Sequence, residues 1–354
     1  MNLSKQQEAI VTTKANKVVV IASAASGKTA VLVERVRYLL DNGADPKKIV
    51  MITFTNAAAE ELAERLGRPK GLFIGTIHSY ANFLLLSNGN ETQDLLEEEQ
   101  FDKLFKRIKY NPDCIRPVDH LLLDESQDSN AAHFEFLLDI VQPQNYIIMG
   151  DHKQSIYRWN GAYPDYLINL AKQADVTTYQ LDENYRNATS ILTYAKNIIM
   201  VAGYDYRDTS TPMRGISGKV IPDLEYNPQA IARTLAGMKD GFGEWFILTR
   251  TNAQIDEIAN VLKRYGVPYD TFKRAQLDNK ELNKKMKENT VKVLTIHTAK
   301  GLEANNVIVI GAKFYNLEER CISYVAATRA RNQLIWTKMP YRRSPAQSTT
   351  NWEK

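Results

Sequence analysis

The chain has 354 residues, of which 44% are hydrophobic and 24% charged, and its formal net charge is +4. That length exceeds one ordinary domain of roughly 100–200 residues and predicts two, while the composition excludes a disordered chain. The mild positive balance permits a nucleic-acid partner without demanding one, and no apolar run approaches the ~18 residues of a membrane-crossing helix.

Short apolar, β-branched runs alternate with helical periodicity along the chain. VVVIA (18–22) predicts a strand, followed by a helix from Lys28 to Asn42. KIVMITF (48–54) predicts the next strand and 56–66 the next helix. Residues 86–118 break the rhythm with the acidic run Glu97-Glu98-Glu99 and basic Lys106, Arg107 and Lys109, and read as a solvated helical insertion. HLLLDE (120–125) is a strand followed by a helix over 130–140, and NYIIMG (145–150) is another strand. A second series starts near residue 182. It has a helix at 188–202, EWFILT (244–249), a helix at 252–265, VKVLTI (291–296), NVIVIG (306–311), a helix near 318–330 and QLIWT (333–337). The tail, 339–354, reads as loosely ordered. Continuous apolar strands between helices mean parallel sheets covered on both faces. The pattern occurs twice, so the expected fold is α/β with two tandem domains, 1–181 and 182–338.

Cys114 and Cys321 stand far apart, in no CxxC and no His-rich setting. Reduced thiols are expected, with neither a disulfide nor a zinc role. MNLSKQQEAI is too polar for a secretion signal, so a cytoplasmic protein without a membrane partner is expected.

In IASAASGKTAV (21–31), Gly27-Lys28-Thr29 is the tail of a phosphate-binding loop, but Ala22 stands where the leading glycine is usual. The loop follows a strand and opens a helix. Backbone N–H groups of residues 25–29 can therefore face a phosphate, and the helix dipole favours the anion. Lys28 supplies positive charge to the β/γ-phosphates, and the Thr29 hydroxyl can bind Mg²⁺. A methyl group at Ala22 is harmless at a strand end where φ stays negative. LLLDES (121–126) leads an apolar strand into two carboxylates. Asp124 could hold Mg²⁺, and Glu125 could orient or deprotonate the attacking water. Loop and carboxylates together predict an NTPase.

With these residues placed, the sequence resembles the UvrD/PcrA/Rep family of superfamily 1 DNA helicases, from Leu3 to about Trp336. LSKQQ (3–7) is similar to the family's N-terminal Gln motif, and ASAASGKT (22–29) to its AGAGSGKT. ITFTNAAAEEL (52–62) resembles motif Ia, GTIHSY (75–80) the motif after it, and LDESQD (123–128) the Walker B box. GDHKQSIYRWNGA (150–162) resembles motif III, NYRN (184–187) motif IV, TIHTAKGLE (295–303) motif V and EERCISYVAATRA (318–330) motif VI.

The resemblance implies two RecA-like P-loop domains with ATP and Mg²⁺ between them. The first would contribute Gln7 at the adenine edge, the loop Ala25, Ser26, Gly27, Lys28, Thr29 and Ala30, and also Asp124, Glu125 and Gln154. Thr29 and Asp124 would hold the Mg²⁺. The second would contribute Tyr185 stacked on the adenine and Arg186 and Arg329 as fingers on the γ-phosphate, with Glu303 nearby. Single-stranded DNA would cross both domains at Phe54, Asn56, His78, Tyr157, Trp159 and His297. Exposed aromatics suit that task, because stacking on any base contributes ~1–3 kcal/mol without reading sequence. The chain departs from the family at His152 and Lys153, where acidic residues are usual, at Asn160 for Arg, at Ala57 for Lys and at Ala304 for an aromatic. Residues 86–118 would be a remnant of the family's 1B insertion, and the span 270–290 leaves no room for 2B. Tyr341-Arg342-Arg343 falls near the family's duplex-splitting hairpin but reads as tail. The implied function is an ATP-dependent 3′→5′ translocase or helicase. It would act as a monomer on single-stranded DNA and on duplex with a 3′ tail. The alternative is the motor subunit of a larger DNA-processing or phage-defence complex.

Overall fold

The computed structural model describes residues 3–97, 100–203, 206–273 and 284–338. Six parallel strands form the first sheet: β1 (Lys17–Ala22), β2 (Ile49–Thr53), β3 (Phe73–Thr76), β4 (His120–Leu123), β5 (Asn145–Gly150) and β6 (Thr177–Leu181), in the order β3-β2-β4-β5-β1-β6. Successive residues of a strand point to opposite faces, and here they feed two separate cores. Val19, Val50, Leu121 and Ile148 pack on one face, and Val18, Val20, Met51 and Leu122 on the other. Helix α1 (Lys5–Thr12), α2 (Lys28–Asp41) and α3 (Asn56–Leu66) contribute to the second core. Helix α4 (Ile77–Ser87) contributes to the first.

The insertion carries α5 (Gln93–Glu97) and α6 (Asp102–Lys109). It is helical, as expected, but not merely solvated. Leu104, Phe105 and Ile108 repeat on one face of α6 and are buried in the same core as α4. The helix expected over 130–140 is α7 (Ala131–Phe134) continuing as a π-helical turn over Glu135–Ile140. Glu98, Glu99 and the Tyr341-Arg342-Arg343 segment lie outside the described residues.

Helix α8 (Asp165–Ala171) and β6 complete the first sheet, and a two-residue ladder of β7 (Glu183–Asn184) with β8 (Thr211–Pro212) follows. The second sheet is again all parallel. Its strands are β9 (Lys219–Glu225), β10 (Trp245–Thr249), β11 (Tyr269–Phe272), β12 (Val291–Thr295), β13 (Ala304–Ile310) and β14 (Ala330–Lys338), in the order β11-β12-β10-β13-β14-β9. Helices α9 (Thr189–Met200) and α12 (Leu317–Ala327) cover one face. Helices α10 (Pro228–Ala236) and α11 (Asn252–Arg264) cover the other. The parallel α/β architecture is the one the sequence implies. Of the strands in the two six-stranded sheets, four went unannounced: β3, β6, β9 and β11, the outer strands of each.

The two sheets meet along a seam. Ala24, Ile156, Tyr157 and Ala162 from the first half join the buried apolar cluster of Ala188, Ile322, Tyr324 and Val325 from the second. The turns after β1 and β4 open onto this seam from the carboxyl ends of parallel strands, where open α/β sheets bind ligands.

Candidate nucleotide site and the face beside it

The phosphate loop is shaped by backbone conformation. Gly27 caps α2 with φ 82°, and a Cβ there would lie 2.7 Å from Gln7 Nε2. Only glycine fits. Ala25 is also left-handed, at φ 56°, a conformation that costs an L-residue about 1–2 kcal/mol. Gln7 is fixed from both ends: Ser4 N–H donates to its Oε1 and its Nε2 donates to the carbonyl of Ser26, each at 3.0 Å. Lys28 is buried at the first turn of α2, with Nζ 3.8 Å from Glu125 Oε1. Thr29 Oγ1 lies 3.4 Å from Asp124 Oδ2.

Glu125 adopts φ 50°, and strained conformations of this kind concentrate at functional sites. Its side chain is 31% exposed and accepts a hydrogen bond from Gln127 Nε2. The two adjacent carboxylates titrate in opposite directions. Burial, then the charge of Glu125, pushes Asp124 up. Burial also pushes on Glu125, but the charges of Lys28, Lys300 and Arg329 together with the Gln127 hydrogen bond outweigh it and hold the group down.

The second half faces this loop with arginines. Arg329 is only 2% exposed. Its guanidinium donates to Val325 O (3.0 Å), to Leu302 O (3.2 Å) and, across the seam, to Gln154 Oε1 (3.0 Å). Burial, then the neighbouring Arg186, lowers its pKa to about 9. Gln154 in turn donates to Asp151 Oδ2 at 2.8 Å. Arg186 is held by Glu303 and by Thr328 O, the latter at 3.3 Å. Arg331 shares Glu303. Between the halves lies a cavity of about 430 Å³, lined by Gln7, Ala25, Gly27, Ala30, Tyr185, Arg186, Glu303 and Arg331. Of these residues, sequence reasoning had missed Arg331, although it lies two positions after Arg329.

Charged contacts stitch the seam on either side of Gln154. Lys300 pairs with Asp128 and donates to Gln154 O at 3.0 Å. Asp208 accepts from Ser23 Oγ at 3.2 Å and from the Tyr324 hydroxyl at 2.6 Å. The departures in motif III also find structural roles: Lys153 is buried against Asp151 at 3.0 Å, and His152 packs edge-on to Tyr206. Lys300 and Asp128 fall inside the motif segments 295–303 and 123–128 but were not singled out. Asp208 carries no signal in the sequence.

On the adjoining face, Phe54 stacks on the buried ring of Tyr157 with centroids 5.3 Å apart. Trp159, 62% exposed, stands edge-on to the same ring, and His297 is tilted against it at 6.0 Å. The Lys300 ammonium lies 5.1 Å from the centroid of that ring. Trp159 and His297 also border a cavity of about 350 Å³ with Arg250, Thr251, Asn252, Thr295 and Glu318. Asn56 opens α3 at the surface. His78 is half-buried. The insertion folds over it, with Phe105 stacked at 5.3 Å and Asp102 Oδ1 3.4 Å from Nε2.

Residues 3–113 and 103–175 match the UvrD/REP helicase N-terminal domain, and residues 270–341 the UvrD-like helicase C-terminal domain. The chain is 25% identical to a probable DNA helicase of Mycoplasma pneumoniae, over 94% of this chain and 83% of that protein. It is 26% identical to DNA helicase II of Escherichia coli, over 76% of this chain and 51% of that one. It is 24% identical to the Gabija protein GajB of Bacillus cereus, over 90% and 92% of the two chains. The chain thus spans about half the length of helicase II and of the similar PcrA of Leuconostoc citreum. The half that carries the phosphate loop and the half that carries the arginines each match a helicase domain, in the order the cleft requires: the chain belongs to the UvrD/REP helicase family.

Proposed function

We propose that the chain is a motor that hydrolyses ATP at the seam and moves 3′→5′ along single-stranded DNA, unwinding duplex that carries a 3′ tail. The observation that carries this reading is the 3.0 Å hydrogen bond from Arg329 to Gln154, which brings a guanidinium of the second half beside the carboxylates of the first. The polarity rests on the family resemblance.

ATP enters the cavity with its base against Tyr185 and Gln7 and its phosphates on the N–H groups of residues 25–29. Lys28, Arg186 and Arg329 then meet the charge that spreads over the γ-phosphate in the transition state, where one arginine finger is worth about 10³–10⁵ in rate. Glu125, held ionised by the surrounding cations, accepts a hydrogen bond from the attacking water and orients it. Arg186 must exchange Glu303 for phosphate, so nucleotide binding rearranges an ion pair within the second half. Lys300 touches Asp128, three residues past Glu125, and lies against Tyr157 on the aromatic face. This gives hydrolysis a short path to DNA.

The Thr29 hydroxyl in the first turn of α2 and the Asp124 carboxylate just past the end of β4 are hard oxygen donors 3.4 Å apart, a set that suits Mg²⁺. They would hold the ion, which supplies charge neutralisation to the phosphates.

ATP turnover with and without single-stranded DNA tests the reading, followed by strand displacement on 3′- and 5′-tailed duplexes. DNA-stimulated turnover abolished by Lys28→Ala is expected; full turnover in that variant would overturn the site. A second reading is a motor subunit of a larger DNA-processing or phage-defence complex that does not unwind alone. The short insertion at 86–118 and the similarity to GajB over nearly the whole of both chains favour it. ATPase activity without strand displacement would select it.

A further inference from the structure

We propose that His78, Asp102 and His133 form a binding site for a first-row divalent transition-metal ion, Zn²⁺ foremost, that pins the 86–118 insertion to the first half. This inference does not depend on the motor reading. One ligand atom from each of the three residues lies within 4.8 Å of the others, with His78 Nε2 and Asp102 Oδ1 at 3.4 Å. Among the described residues this is the one such His/Cys/Asp/Glu group. The three come from separate segments: the start of α4, the start of α6 and α7 after the Asp124-Glu125 turn.

The imidazole geometry favours ligation. The His78 and His133 centroids are 5.2 Å apart. Two imidazoles on one tetrahedral Zn²⁺, with bonds of about 2.0–2.1 Å, place their centroids roughly 5 Å apart. Drawing the carboxylate in requires a shift of about an ångström to reach bonding distance, and the Asp102 side chain, 60% exposed, is free to make it. Phe105 stacks on His78 and stands edge-on to His133, which gives the site an apolar wall. A cavity of about 40 Å³ borders both imidazoles, lined also by Ser129, Asp124 and Glu125. A water occupies about 30 Å³ in the liquid, so one fits there as a fourth ligand.

Two nitrogens and one oxygen suit zinc and its transition-metal neighbours, whereas Mg²⁺ prefers oxygen alone. Ligation has one local cost. His133 Nδ1 accepts from Asn130 N–H at 3.3 Å. Binding metal through Nε2 moves the ring proton to Nδ1, so this long bond is given up and the ring stays neutral. The other half of that cap, His133 N–H to Asn130 Oδ1 at 3.0 Å, is retained.

The test uses the whole chain, stripped with a chelator and kept in excess Mg²⁺ so that Thr29 and Asp124 do not compete for the probe. Zn²⁺ is titrated by calorimetry and Co²⁺ by visible absorption. One equivalent of Zn²⁺ and tetrahedral Co²⁺ bands are expected. His133→Gln and Asp102→Asn should each weaken binding by at least roughly 10–100-fold, the loss typical of outer-shell partners. Asp102 is exposed, so its variant reports even where His133→Gln fails to fold. Absence of saturable binding, or unchanged affinity in Asp102→Asn, would overturn the site.

Discussion

The two edges of the seam are built on different principles. At the candidate nucleotide edge, the arginines and Gln7 are held by directional partners. Arg329 donates to Val325 O, Leu302 O, Gln154 Oε1 and Thr328 Oγ1, Gln7 is gripped at both ends, and Arg186 is held by Glu303. On the aromatic face, the contacts are ring against ring among Phe54, Tyr157, Trp159 and His297. A directional site fails abruptly when one atom is misplaced, whereas a stacking surface degrades by increments. Four substitutions can break or sharpen that contrast.

The largest effect belongs to Arg329→Lys. Lysine keeps the charge but loses the planar fork that reaches several acceptors at once. DNA-stimulated kcat should fall at least about 10³-fold, with DNA affinity, read by fluorescence anisotropy, retained. A kcat near that of the unmodified chain would show that charge alone suffices and dissolve the contrast.

Asp128→Asn probes the join between the two edges. Burial, opposed by Lys300, raises the Asp128 carboxyl to about 6, and its Oδ1 has no hydrogen-bond partner. A raised carboxyl pKa means that the folded state holds the proton more tightly than the unfolded chain. Its contribution to stability is therefore full below about pH 4 and is lost as pH rises through about 6, a span of roughly 3 kcal/mol. Urea unfolding at several pH values should show this downward slope in the unmodified chain and its removal in Asp128→Asn. Identical slopes would refute the assignment.

Trp159→Ala should weaken single-stranded DNA by ~1–3 kcal/mol, equally for different base sequences. A sequence-dependent loss would mean that the indole reads bases rather than stacking on them. The smallest effect is expected at Ala25→Gly. Relief of the left-handed strain, less the added freedom of the unfolded chain, should raise stability by up to about 1 kcal/mol. A lower urea midpoint would show that the alanine methyl makes a contact worth more than the strain.

The same contrast separates what was legible in the sequence from what was not. The eight inner strands announce themselves because both of their faces are buried, which demands unbroken apolar runs such as VVVIA and NYIIMG. The outer strands have no such demand. TTYQL in β6 exposes most of its length, and KVIPDLE in β9 is mostly exposed and carries a proline, as suits a strand paired on one side only. Within the site, Lys28 and Asp124 sit in short motifs whose chemistry dictates their spacing. Asp208 and the meeting of His78 with His133 are different, because they depend on how distant segments pack. The charged residues of the insertion suggested a solvated segment, while Leu104, Phe105 and Ile108 decided where it docks.

The passage of the chain from one sheet to the other has a consequence of its own. Asp182 is tied to Gln6 at 2.6 Å, Tyr185 N–H donates to Ala25 O at 3.0 Å, and Tyr185 and Arg186 form part of the cavity wall. The tether between the halves and the rim of the pocket are the same few residues. A rotation of one half against the other would therefore reshape the wall of that cavity directly.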